Sequence, residues 1–114
     1  MTALLTLIGL AIVLILVVGL CAGGTIGANR GIGIRLPATR LSESAWRAGH
    51  RAALLPAIVG GGVVIVIAGV GLAYPDLQPA MQVIGIVLFL GTLTWATLCA
   101  NNAARALADD RRDR

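Results

Sequence analysis

The chain has no lysine, which excludes chemistry that runs through an amine nucleophile or a Schiff base. It has one histidine, His50, with no cysteine or carboxylate cluster nearby, too few ligands for a metal centre. The carboxylates sit apart from it, at Glu43, at Asp76, and in the acidic-basic tail at Asp109, Asp110 and Asp113. They form neither an acid–base pair nor, with a serine and His50, a nucleophilic triad. No catalytic residue, cofactor-binding residue or metal ligand is assigned, no cofactor is expected, and the reading is that of a protein that is not an enzyme. The two cysteines, Cys21 and Cys99, lie in apolar surroundings outside any CxxC motif, and they read as small packing residues. Charged residues make up 12% of the chain, about half the share of a soluble domain. The long apolar runs hold no ionisable group except the two thiols, which argues against ion or proton transport by this chain alone.

What is present is apolar. Hydrophobic residues are 58% of 114, more than a domain of this size can hide from water. The mean hydropathy is +0.92. Fifteen glycines suit closely packed membrane helices. Residues 3–22 form an apolar run of bilayer length, since twenty residues at 1.5 Å each span about 30 Å. Residues 52–74 and 80–100 form two more, and the Tyr74–Pro79 turn with its two prolines makes them an antiparallel hairpin. A cleavable signal peptide is disfavoured, because no basic residue precedes the first run and the first charge is Arg30.

The expected architecture is therefore an all-α membrane protein, a single membrane domain over residues 1–114. It comprises helix one (3–22), an arginine-rich loop (29–51), helix two (52–74), helix three (80–100) and a fraying charged tail (101–114). Arginines fall in the loop and in the tail, and the turn between helices two and three has none. The positive-inside rule then places the loop and C-terminus in the cytoplasm and the N-terminus outside, in a bacterial plasma membrane.

The loop carries what chemistry there is. Gly31, Gly33 and Pro37 make its first half irregular. Thr39 or Ser42 can cap a short amphipathic helix running to Arg51 along the membrane surface, between the first and second spans. In it Trp46 and His50 share a face, as do Arg47 and Arg51, and Glu43 precedes Arg47 at the favourable i,i+4 spacing. His50 reads as an interfacial residue packed beside Trp46. The candidate contact residues are Asn29, Arg30, Arg35, Pro37, Trp46, Arg47, His50 and Arg51. Their arginines can fix topology by touching anionic lipid headgroups, build an anion site from guanidinium forks and glycine amides, or dock a protein partner. Nucleic acid is not expected, as the basic patch is short and tied to the membrane. The glycine pattern at Gly27, Gly31 and Gly33 looks like a dinucleotide fingerprint, but a bilayer-length helix precedes it where a strand is required.

Small residues define the candidate packing faces. Gly19, Gly23 and Gly27 step along one face of helix one, and Gly61 lies in the glycine run of helix two. Thr94, Thr97 and Asn101 share a face of helix three. Such faces let helices approach closely, within the chain, in a homo-oligomer or against a membrane-protein partner.

The loop also resembles the SdpI family of small bacterial integral membrane proteins. The resemblance rests on Asn29, Gly33-Ile34-Arg35, Pro37, Thr39, Ser42, Trp46 and Arg51, a combination spanning about twenty residues of the chain. It implies a non-enzymatic role in immunity or signalling, of the kind in which a member protects against a secreted toxin and relays its presence to a repressor. Arg35, Trp46, Arg47 and His50 would then form the contact surface. The alternative is an accessory subunit of a larger cell-envelope complex, such as a lipid or solute transporter, docked through the glycine and threonine faces.

Overall fold

The computed structural model describes residues 1–24, 34, 37, 39 and 42–112, without the side chains of Ala108, Arg111 and Arg112. Among the described residues there is no strand. The elements are α1 (Thr2–Ala22), α2 (Glu43–Ala73) and α3 (Gln78–Arg112), with one 3-10 turn, Pro75–Leu77, joining the last two.

Local chemistry sets the ends. α1 stops at two glycines. The Gly23 amide donates to the Gly19 carbonyl at 3.0 Å, and Gly24 turns into the left-handed region at φ +83°, which only glycine enters freely. Ser42 opens α2, its hydroxyl accepting the Ala45 amide at 3.0 Å, with Glu43 set favourably against the positive end of the helix dipole. Pro56 lies inside α2 and the helix continues through it. In apolar surroundings neighbouring helices tolerate such a proline. α2 ends at Tyr74, whose extended backbone is what the following Pro75 demands.

α2 is the central helix. It packs along both α1 and α3, which touch each other little. Near the α2–α3 turn, Leu4, Leu7 and Ala11 meet Val64 and Ala68. Toward the loop, Val18 meets Ala53, Ala57, Ala96 and Ala100. Alanines dominate the second cluster, which brings the backbones close. Most apolar side chains point outward instead: 28%, 33% and 22% of the apolar windows of the three helices are buried. In water such a surface would aggregate. Around a helix set in lipid it is the expected solvent-facing composition. All three helices are long and apolar enough to cross a membrane.

Two expectations about the ends need correction. The short interfacial helix is not a separate element, because residues 43–51 are the first turns of α2. Nothing between Ser42 and Ala52 breaks the helix, and Ala45 gains a packing partner in Ala104, with Leu107 against both. The expected fraying tail is helical as well, as α3 continues to Arg112. Its alanines and Leu107 favour helix, and the same contact gives it a neighbour. α3, at 35 residues, is about 52 Å long, well beyond the bilayer core. The start of α2 and the end of α3 thus run on together as a paired helical stub at the loop end.

Candidate functional site

The first turns of α2 hold the loop through one face. Trp46 and His50 are spaced i,i+4 and stack with ring centroids 4.4 Å apart. Both have no exposed surface. His50 Nδ1 lies 2.8 Å from the Trp46 carbonyl, and the backbone amide of Ile34 donates to His50 Nε2 at 2.9 Å. These partners assign the tautomer. Nε2 faces a donor and must accept, so the proton of the neutral ring sits on Nδ1 and goes to Trp46.

Thr39 completes the clasp. Its hydroxyl donates to the Ile34 carbonyl at 2.8 Å, so one residue of the loop is held at both its amide and its carbonyl. Thr39 is fully buried, and its methyl lies where Gly49 has no side chain. A Cβ on Gly49 would come within 2.8 Å of that methyl and 3.2 Å of the Ala100 carbonyl. Gly49 is therefore the point where the loop, α2 and α3 converge. Toward α1, the Trp46 side chain lies beside the Cys21 thiol. The Arg47 guanidinium lies against Gly24, placing a cation near the negative end of the α1 dipole, whose own last turn has none. Among the described residues no buried side-chain polar atom lacks a partner.

The expected contact residues separate into two groups. Trp46 and His50 point inward, so they hold the loop and do not offer a surface to a partner or a headgroup. A Trp–His face reads equally as interfacial or interior from sequence, since both rings are amphipathic. Pro37, Arg47 and Arg51 are exposed. Asn29, Arg30 and Arg35 lie outside the described residues, as does Gly27.

The packing residues also divide. Gly61 is buried, and a Cβ there would meet the Ile15 side chain at 2.9 Å. Gly19 has only Leu54 nearby at 3.9 Å, and Gly23 meets its own helix backbone, so these two described glycines of α1 do not make a tight crossing within the chain. Thr94 is exposed, with its hydroxyl turned back to the Leu90 carbonyl at 3.0 Å. Thr97 and Asn101 are half-buried. Thr94 and Thr97 line a shallow, mostly apolar hollow with Leu93 and Leu98.

Sequence reasoning placed Gly60 in the glycine face of helix two with Gly61, Gly62 and Gly69, but missed Thr92, whose side chain lies against it, and gave no role to Gly49. A glycine inside a helical pattern is a signal of close approach, and Gly49 between Trp46 and His50 could have been read that way. A groove of about 420 Å³ runs between α2 and α3 beside Gly60, lined by Val59, Val63, Val87, Gly91, Thr92 and Trp95. Its walls are apolar, and no set of polar groups converges there. No cluster of three metal-ligating side chains occurs among the described residues.

Compared with known proteins, residues 25–100, two thirds of the chain, match the model of the SdpI/YfhL protein family. The match covers the loop, α2 and most of the apolar part of α3. No curated protein and no solved structure matched the chain.

Proposed function

The chain belongs to the SdpI/YfhL protein family, and from that premise we propose that this multi-pass membrane protein acts without catalysis, as an immunity or signalling factor that contacts a membrane-protein partner through its loop end. The loop and the paired helical stub face the cytoplasm, and the N-terminus lies outside. Arg47 and Arg51 form the described part of the contact surface, with Arg30 and Arg35 on the adjoining loop. Anionic headgroups supply the background attraction for the same arginines. The observation that carries this reading is the clasp. Burying Trp46, His50 and Thr39 holds Ile34 and Thr39 against α2 and leaves Arg47 and Arg51 exposed on that helix. A preorganised surface loses less entropy on binding than a mobile one.

A second reading has its own support. The apolar groove beside Gly60 and the outward Thr94 and Thr97 leave faces on α2 and α3 that a neighbouring helix could cover, as in an accessory subunit of an envelope complex.

One experiment separates them. The tagged protein, its Arg47→Ala/Arg51→Ala variant and its Thr97→Leu variant are purified in mild detergent from native membranes, and co-purifying proteins are quantified by mass spectrometry. A membrane-protein partner kept by Thr97→Leu and lost by the arginine variant supports the first reading. A stoichiometric assembly that survives the arginine changes and dissociates with Thr97→Leu supports the second and ends the first.

A further inference from the structure

We propose that His50 is a proton-operated latch: the neutral ring holds the Ile34 backbone, with Thr39 bonded to it, on α2, and protonation breaks that hold. The ring has two nitrogens and two fixed backbone partners of opposite character. Nδ1 donates to the Trp46 carbonyl at 2.8 Å, and Nε2 accepts the Ile34 amide at 2.9 Å. Only the neutral Nδ1–H tautomer satisfies both. A proton added at Nε2 sets one N–H against another, because an imidazolium carries two donors and no acceptor. The Trp46 carbonyl is the neighbouring turn of the same helix and stays in place. The Ile34 amide lies outside that helix, so Ile34 is the partner that yields.

The surroundings favour this division. His50 has no exposed surface, so bulk water does not stand in for the lost partner. The described titratable and charged side chains on the elements packed around it are Cys21 at the end of α1, Glu43, Arg47 and Arg51 on α2, and Cys99, Arg105, Asp109 and Asp110 on α3. None of them hydrogen-bonds the ring, both nitrogens of which go to backbone groups. Among the described residues no carboxylate hydrogen-bonds the ring, so none is in place to accept from the imidazolium and keep the site closed. Once the amide leaves, Ile34 and Thr39 keep the bond between them, and the contacts that remain include the packing of the Ile34 side chain beside Val18, Ala53, Ala57, Ala96 and Ala100 and of the Thr39 methyl on Gly49. Arg47 and Arg51 stay on α2, while Ile34 loses its hydrogen bond to that helix. The latch thus converts a proton into a change in what the loop end presents.

His50 is the sole histidine of the chain, so its ring can be followed without ambiguity. The full chain, labelled with 15N at histidine and placed in lipid nanodiscs, is titrated by NMR from about pH 7.5 to about pH 5, the range where histidine changes charge. In parallel, hydrogen exchange of the peptide containing Ile34 and Thr39 is measured and corrected for the intrinsic rate. Expected are a neutral Nδ1–H ring at the high end, titration within the range, and a fall of about tenfold in protection that follows it. In His50→Gln the side-chain carbonyl accepts the Ile34 amide at any pH, and protection no longer falls with acid. The proposal is overturned if the ring stays neutral throughout, if it titrates without loss of protection, or if His50→Gln shows the same acid-dependent loss. Should His50→Gln fail to fold, the wild-type titration and exchange decide the matter by themselves.

Discussion

Thr92 of α3 lies directly against the backbone of Gly60 in α2, closer than any side chain at position 60 would permit. Thr92 is buried, and its hydroxyl is already spent on the Leu88 carbonyl of its own helix at 2.8 Å. The contact is thus one of shape, a small polar side chain seated where a Cβ is missing. Without a hydrophobic drive between helices in lipid, such close packing is what holds a pair together.

Gly60→Ala is therefore expected to destabilise the α2–α3 pair, by about 1–3 kcal/mol as overpacked sites do. Gly62, two residues on, has no heavy atom within 4 Å of a built Cβ. Gly62→Ala is expected to be neutral or slightly stabilising, since alanine favours helix over glycine by about 1 kcal/mol. Thermal melting of both variants in mild detergent, followed by size-exclusion chromatography, checks the contrast. Equal melting of the two would mean that the Gly60–Thr92 contact does not hold the pair.

Gly49 gives a second test, with a built-in rescue. Gly49→Ala brings a methyl against Thr39 and the Ala100 carbonyl, and about 1–3 kcal/mol of stability should be lost. Thr39→Ser removes the clashing methyl and keeps the hydroxyl that donates to Ile34. The double variant should melt higher than the sum of the single changes predicts, a coupling of about 0.5 kcal/mol or more. Additive losses would show that the loop segment does not pack on Gly49.

The spans were legible because charge is absent from them, and bilayer length is a strong signal. Their full extent was not. Residues 43–51 and 101–112 carry charges and read as a surface helix and a tail, yet they extend α2 and α3 because Ala45 and Ala104 find each other across the hairpin. That pairing depends on the register of two helices, which no local pattern states. Trp46 and His50 were recognisable as one face, but whether it turned in or out depended on a bond to Ile34, sixteen residues away. The spaced glycines of α1 form the stronger sequence motif, while tight contacts fall on α2 and α3, among them Gly60 and Gly61, where Thr92 and Ile15 happen to arrive.

Gly24 and its neighbour make a third prediction. Gly24 sits at φ +83°, where a Cβ costs about 1–2 kcal/mol, and Gly24→Ala should lower the melting temperature accordingly. Gly23 is in the right-handed region at φ −78°, and a Cβ there meets only its own helix at 3.5 Å. Gly23→Ala should be tolerated. The Arg47 guanidinium also occupies the space beside Gly24, but it is the end of a flexible, exposed side chain. Adding Arg47→Ala to Gly24→Ala should recover little, because the backbone conformation carries most of the penalty. Full recovery would place the penalty in the side-chain contact instead.

The proposed orientation makes the last prediction. Asp76 lies exposed in the arginine-free turn between α2 and α3, and Asp110 lies exposed near the end of α3, a segment whose sequence carries Arg105, Arg111 and Arg112. With Cys21 and Cys99 replaced by alanine, Asp76→Cys should react with a membrane-impermeant maleimide on intact cells. Asp110→Cys should react only after the membrane is opened. Because α3 joins the two positions through a single span, they must lie on opposite sides, and the experiment reads which is which. The reverse pattern would put the arginines outside. The positive-inside assignment would then fail, and with it any partner for Arg47 and Arg51 in the cytoplasm. Reaction of both positions on intact cells would contradict the spanning of α3 itself.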